Sequence, residues 1–291
     1  MAPLVWITLS VIWGLTWLAV RIGLDDLPPF NFAGIRFLVA AVVLFAAMLV
    51  RRTVLPHSRS DWVIITQTGL LTFGLAYSLQ FWGQQYVPSG LTAVMFSTVP
   101  LFTMLLAHTR IPSESLTRMK LLGVTLGIAG VTLVFSDQLG AESPLAVWGC
   151  IGFLIGSLSM AYAQVVVKHS GTHIDPLVLA GCQMAIGAVA LLAIGTIAEG
   201  SPIGLSWTLP AVASLSYLSL VCSALAFFLL YWLIRHMDVT KVTSMALVHP
   251  LVAVLAGWIV LDESLSWRVL VGGGTILVGL ALILPRRDTS Q

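Results

Sequence analysis

Charge is what this sequence has least of. Asp, Glu, Lys and Arg together make up 9% of 291 residues, against 58% hydrophobic residues, and the mean hydropathy is +0.99. Soluble domains run to about 25% charged and about 45–50% apolar. So few charges cannot coat a water-facing globule, which leaves lipid as the medium around the outer surface. A formal net charge of +2 offers no footprint for nucleic acid. Cysteine is scarce too. Cys150, Cys182 and Cys222 lie far apart in apolar runs, without metal-ligand spacing or an even-numbered framework, and read as packing residues. Catalytic signatures are missing. There is no P-loop to use ATP, no Gly-x-Ser-x-Gly elbow and no His-Glu-x-x-His, and the one aspartate cluster is Asp25-Asp26 in a loop. His169 and His173 have a metal-like spacing, but in a glycine-containing loop with no third ligand. An enzyme, a cofactor and a metal are therefore not expected.

What the chain has instead is long apolar runs. A membrane helix needs about 20 mostly apolar residues. Ten runs fit: 4–22, 30–50, 62–83, 89–108, 119–136, 145–167, 176–198, 211–234, 239–260 and 268–284. Turn residues or charges separate them, among them Asp25-Asp26-Leu27-Pro28-Pro29, Arg51-Arg52, Pro112-Ser113-Glu114 and Glu199-Gly200-Ser201-Pro202. The runs are too long, and too apolar all round, for barrel strands. The first run starts at once without a basic segment before it, so it reads as a retained helix rather than a cleaved signal. With the N-terminus in the cytoplasm, the inner loops and C-terminal tail hold eleven Lys and Arg, and the outer loops hold Arg21 and Arg268. That bias predicts both termini inside.

The sequence also repeats itself. Tyr86–Pro100 lies over His236–Pro250 without a gap. Glu114-Ser115-Leu116 matches Glu263-Ser264-Leu265, and Gly123 and Gly130 match Gly272 and Gly279. Earlier, Pro29, Gly34 and Arg36 match Pro176, Gly181 and Gln183, and Arg21 matches Lys168. The expected organisation is an all-α membrane protein of two halves, 1–137 and 138–291. Each holds five helices, an odd number, so the second half enters the membrane from the opposite side. Such inverted repeats serve alternating access, with substrate near the midplane where the halves meet.

Several residues are candidates for that site. Pro100 and Pro250 fall inside matching runs, where a proline frees the carbonyl four residues earlier, here those of Phe96 and Ala246. Paired interruptions point to a transporter site. Phe73, Tyr77, Gln80 and Gln84, spaced by 4, 3 and 4, share one helical face. The corresponding positions of the second half are Ser223, Phe227, Leu230 and Ile234. Glutamines in a span are costly unless hydrogen-bonded, so they face a cavity or a neighbouring helix. Trp17 with Trp13, and Tyr162 with Gln164, supply aromatic walls for an apolar or aromatic metabolite or a cation, or else face lipid. Ser244 and His249 precede Pro250. Arg21 and Lys168 are candidates to close gates or to anchor helix ends. Trp6, Trp62, Trp148, Trp207 and Trp267 sit near run ends and read mostly as interfacial belt residues. Glycine series such as Gly123-x-x-x-Gly127 serve packing within the bundle first and a homodimer interface second. No carboxylate falls in the centre of a run, so facilitated diffusion or exchange is expected rather than an acidic proton relay.

Taken in order, the motifs resemble the EamA-type branch of the drug/metabolite transporter superfamily. The residues that carry the likeness are Trp13-Gly14, Arg21, Arg36-Phe37 with Leu-Val-Ala-Ala after it, Pro100, Pro250, Ala256-Gly257-Trp258, Asp262-Glu263-Ser264-Leu265 and the glycine-rich last run. One departure is Ala161, where the second half loses the Trp-Gly signature. The resemblance implies ten helices, cytoplasmic termini, a central cavity, an inner-membrane location and export of a small organic metabolite. Within the family the chain looks most like YddG-type exporters of aromatic and other amino acids. Cationic drugs, nucleosides and sugar conjugates are the alternative cargoes, and a channel or sensor the alternative class.

Overall fold

The computed structural model describes residues 1–87, 89–136, 144–252, 255 and 267–284. Among them there is no strand. In chain order the helices are α1 (Ala2–Gly14), α2 (Thr16–Leu24), α3 (Pro29–Arg51), α4 (Arg59–Gly83), α5 (Ser89–Phe96), α6 (Val99–Arg110), α7 (Arg118–Val134), α8 (Pro144–Ser170), α9 (Pro176–Ala198), α10 (Leu209–His236), α11 (Val239–Val252) and α12 (Trp267–Ile283). Five of these, α3, α4, α8, α9 and α10, are each long and apolar enough to cross a membrane. Local chemistry sets their ends. Prolines open α3 and α9, where a missing N–H costs nothing. Asp175 accepts from Leu177 N at 2.8 Å, and Thr117 accepts from Lys120 N at 3.2 Å.

Other expected runs are interrupted. The run 4–22 divides at Leu15 into α1 and α2. The run 89–108 breaks at Ser97-Thr98, just ahead of Pro100, into α5 and α6. There the Met95 carbonyl accepts from Thr98 N at 3.2 Å and from the Thr98 hydroxyl at 2.6 Å. Within α11 the stretch Ser244–Leu247 is a 3₁₀ turn, ahead of Pro250. Two helices carry π segments that the sequence does not announce, Leu70–Ala76 in α4 and Leu220–Leu225 in α10. A π turn widens the helix and rotates the face that follows it.

Glycine sets how closely the helices meet. A Cβ placed on Gly123 would lie 2.6 Å from the Gly279 carbonyl oxygen, and one on Gly130 would lie 2.6 Å from that of Gly272. α7 and α12 are thus in backbone contact, as small residues permit in a membrane. α3 packs along α9 in the same manner. The Glu199 carboxylate at the end of α9 accepts from Phe30 N and Asn31 N at 2.7 and 2.8 Å, holding the start of α3. The outward surface is apolar, with Val42, Leu49, Val189 and Val271 exposed. One tryptophan departs from the belt reading. Trp6 is buried, and its indole donates to the Lys241 carbonyl at 3.0 Å, tying α1 to α11.

Candidate functional site

Between the helices lies a cavity, partly open to the outside, whose void is about 740 Å³ when its open mouth is counted. α4 contributes Tyr77, Gln80, Phe81 and Gln84; α11 contributes Val242, Thr243, Met245, Ala246 and His249. Trp13, Thr16 and Val20 come from α1 and α2, and Phe96 and Val99 flank the break between α5 and α6. Met160 and Gln164 of α8, and Phe227 and Leu230 of α10, complete the wall with Arg36 of α3. No Asp or Glu lines the cavity among the described residues.

Its wall is a chain of rings. The Trp13 ring lies 5.4 Å from Phe227 and 6.0 Å from His249, in both cases edge-on, and Phe96 lies 6.0 Å from His249. The Trp13 indole is fixed by donating to the Cys222 carbonyl at 3.1 Å. Arg36 is 1% exposed. Its Nε donates to Ser223 Oγ at 2.8 Å, in the π segment of α10. Its guanidinium carbon stands 5.1 Å from the Phe37 ring centre and 5.5 Å from that of Tyr77. Both are cation–π distances.

Eight buried side-chain polar atoms among the described residues have no hydrogen-bond partner. Four of them, Arg36 Nη1, Gln80 Nε2, Gln164 Oε1 and His249 Nε2, belong to residues that line this one cavity. Buried polar groups are nearly always satisfied, so half of the orphans falling on one cavity sets it apart among the described residues.

Of the residues singled out from the sequence, Tyr77, Gln80, Gln84, Phe96, Gln164 and His249 meet here. Others lie elsewhere. Phe73 is fully buried behind the wall, 4.7 Å from Phe227 and 4.9 Å from Phe37. It sits inside the π segment, and its ring stacks on that of Tyr77 at 5.9 Å, backing the cavity wall from behind. Tyr162 lines a separate crevice with Gln67, Arg110 and the hydrogen-bonded pair of Asp61 and His173 at 2.8 Å. Ser244 is buried and spends its hydroxyl on the Lys241 carbonyl at 2.7 Å. Pro100 and Pro250 are beside the cavity rather than in its lining. Lys168 donates to the carbonyls of Ile234 and Met237 at 2.7 and 2.8 Å, a cation on the C-terminal end of α10. The side chains of Trp17 and Arg21 lie outside the described residues, as does Glu263.

Arg36 was not among the site residues read from the sequence. The signal was there: a single charge in the interior of the run 30–50. Ionisable residues within spans mark functional sites by default.

Comparison with known proteins agrees with this architecture. The pattern of the EamA-like transporter family matches residues 1–136 and 147–284. The inner membrane transporter YedA of Escherichia coli (strain K12) is 33% identical over 94% of this chain and 88% of its own. The transporter YoaV of Bacillus subtilis (strain 168) is 29% identical over 94% and 93%. A solved crystal structure superposes with a TM-score of 0.81 at 19% identity, covering 97% of this chain and 95% of the other.

Proposed function

Because the chain belongs to the EamA-like transporter family, we propose that it carries a small amphipathic metabolite across the inner membrane by alternating access. An amino acid, aromatic ones included, is the leading cargo and export the direction. In this reading ten helices form two inverted halves, 1–137 and 138–291, with both termini in the cytoplasm. Two features support the paired halves. The π segments begin at Leu70 and Leu220, in the register that sets Phe73 over Ser223. The breaks ahead of Pro100 and Pro250 fall in that register as well.

The observation that carries the reading is the cavity itself: an aromatic wall holding a few unpartnered polar atoms, with no acidic group among the described lining. Such a site fits a cargo with an apolar body and a compact polar head. It gives no counter-charge to the cationic drugs that were the alternative. Past the Leu230–Val242 end of the cavity, cross-links join the elements. Lys168 ties α8 to α10, and the Glu114 carboxylate accepts from Val239 N at 2.7 Å. Closure at one end favours a carrier over a static pore.

The test is counterflow in proteoliposomes preloaded with a mixed amino-acid pool, with labelled amino acids outside. Saturable exchange, weakened by Gln80→Ala, is the expected result. Absence of exchange for every amino acid, from folded protein, would sink the cargo assignment.

A further inference from the structure

The cavity holds one permanent charge, and no carboxylate among the described lining residues balances it. A guanidinium keeps its charge in proteins and offers five N–H donors. Arg36 spends Nε on Ser223, while Nη1 is buried without a partner among the described residues. The faces of Phe37 and Tyr77 give partial compensation, weaker than a carboxylate would. Gln183, which the sequence repeat sets against Arg36, shows what a structural residue looks like here. Its amide nitrogen donates to Thr68 Oγ1 at 2.5 Å, and its oxygen accepts from the Tyr231 hydroxyl. It is satisfied at both ends and lines no cavity described here.

We propose that Arg36 is the anchor for a carboxylate on the cargo, and that this single charge makes the site select monocarboxylates and zwitterions while rejecting simple cations. The inference rests on reading the cavity as the cargo site. A buried cation without a counter-ion is strongly unfavourable, and pairing with a carboxylate through the planar fork relieves it. One arginine balances one negative charge; a doubly charged phosphate would leave an excess in an apolar chamber. Gln80 Nε2 is a second unpartnered donor in the same lining. Gln164 Oε1 and His249 Nε2 are unpartnered there too; the amide oxygen accepts from an ammonium, and Nε2 does so in the tautomer with its proton on Nδ1. Trp13, Phe96 and Phe227 face the body of the cargo. A cation without a carboxylate, about 6 Å from the guanidinium at an effective dielectric near 20, would be disfavoured by about a hundredfold.

The experiment is ligand-induced thermal stabilisation of the purified full chain in detergent, with two matched triads. One is phenylalanine, 3-phenylpropionate and 2-phenylethylamine; the other is leucine, 4-methylpentanoate and isopentylamine. Within at least one triad the two carboxylates should stabilise the wild type, and the amine should require about a hundredfold more ligand. Arg36→Gln, which keeps a donor for Ser223, should weaken carboxylate binding by about a hundredfold and lift the discrimination against the amine. Arg36→Lys, which keeps charge but loses the fork, should weaken it by about tenfold. The unliganded melting temperature shows directly whether each variant is folded. A folded Arg36→Gln that binds the carboxylates within threefold of wild type overturns the proposal. So does an amine that binds wild type as tightly as its carboxylates, or a wild type that binds neither pair of carboxylates. The transport reading fails separately: carboxylate binding that depends on Arg36, without counterflow, keeps the anchor and removes the carrier. Saturable flux of a carboxylate-free cargo, indifferent to Arg36→Gln, does the reverse.

Discussion

Replacing Glu114 should loosen one end of the carrier without touching the cavity wall. Glu114 is 2% exposed, in the connection between α6 and α7. Its carboxylate accepts from Val239 N at 2.7 Å, and from Thr240 N and Thr240 Oγ1 at 3.3 Å each. These donors form the first turn of α11, where the helix dipole also favours a negative charge. Glu114→Ala leaves two backbone donors and one hydroxyl without their acceptor. Each buried donor left unsatisfied costs about 1–3 kcal/mol. Water entering the gap offsets part of that, so a net weakening of about 3 kcal/mol is a reasonable sum. In a two-state carrier this is about a hundredfold, enough to take a 99:1 preference for closure to near parity. The assay uses Thr243, which lines the cavity and is buried at 4% exposure. Thr243→Cys, in a background free of Cys150, Cys182 and Cys222, is labelled with an impermeant maleimide from the cytoplasmic side of inside-out vesicles. Glu114→Ala should raise the labelling rate at least tenfold, and Glu114→Gln, with one acceptor left, should fall between. Labelling unchanged within twofold, from protein that still elutes as a folded species, would refute the argument. It would reduce Glu114 to a local cap.

Three further outcomes follow from the packing and the wall. Gly279→Val should abolish folded yield, because a Cβ there would meet the Gly123 carbonyl oxygen at 2.5 Å; Gly274→Ala, with open space around it, should leave the detergent melting curve unchanged. Gln183→Leu strands the Tyr231 hydroxyl, while Thr68 keeps its bond to the Ile64 carbonyl, so it should cost about 1–3 kcal/mol, read as a lower melting temperature with cargo affinity retained. Trp13→Ala removes the ring that spans Phe227 and His249, and should weaken an aromatic cargo by about tenfold while an aliphatic one changes less, read by paired affinity measurements.

The apolar runs were legible because composition and turn chemistry act locally. The run expected at 176–198 is α9, Pro176–Ala198, with Asp175 capping and Pro176 in its first turn. What the sequence hid depends on neighbours distant in the chain. Nothing in Leu70–Ala76 marks a π turn, and nothing local shows that Phe37 and Phe227 cover Phe73 while Tyr77 reaches the cavity. Two misplacements were avoidable from helix geometry alone. Tyr162 and Gln164 are two residues apart, about 200° around a helix, so they cannot both face one chamber. Ser244 and His249, five apart, are also splayed, whereas Met245 and His249 share a face and do line the cavity together. Arg36 was visible as a lone charge but served only as a family marker. Its meaning depends on Ser223, far away in sequence and presented by the second π segment.

The distribution of unsatisfied groups separates framework from site more firmly than any single contact does. Outside the cavity, several large polar side chains are engaged in cross-element bonds. Glu114 holds α11, Glu199 holds α3, Lys168 holds the end of α10, and Gln183 joins α4 to α10. At the cavity a guanidinium nitrogen, two amide atoms and an imidazole nitrogen are left open. Of the four remaining orphans, one is Asn31 Oδ1, whose amide nitrogen donates to the Gly200 carbonyl at 3.1 Å, and three are the hydroxyls of Thr92, Thr103 and Ser219, which lie on helices where a turn toward the preceding carbonyls is at hand. A scaffold that engages Glu114, Glu199, Lys168 and Gln183 has the means to satisfy these as well: Arg36 replaced by an apolar residue would remove an unfavourable buried charge from the bundle. Keeping it costs stability unless a solute supplies the missing partner, and unsatisfied groups of that kind are what functional sites retain at the expense of stability.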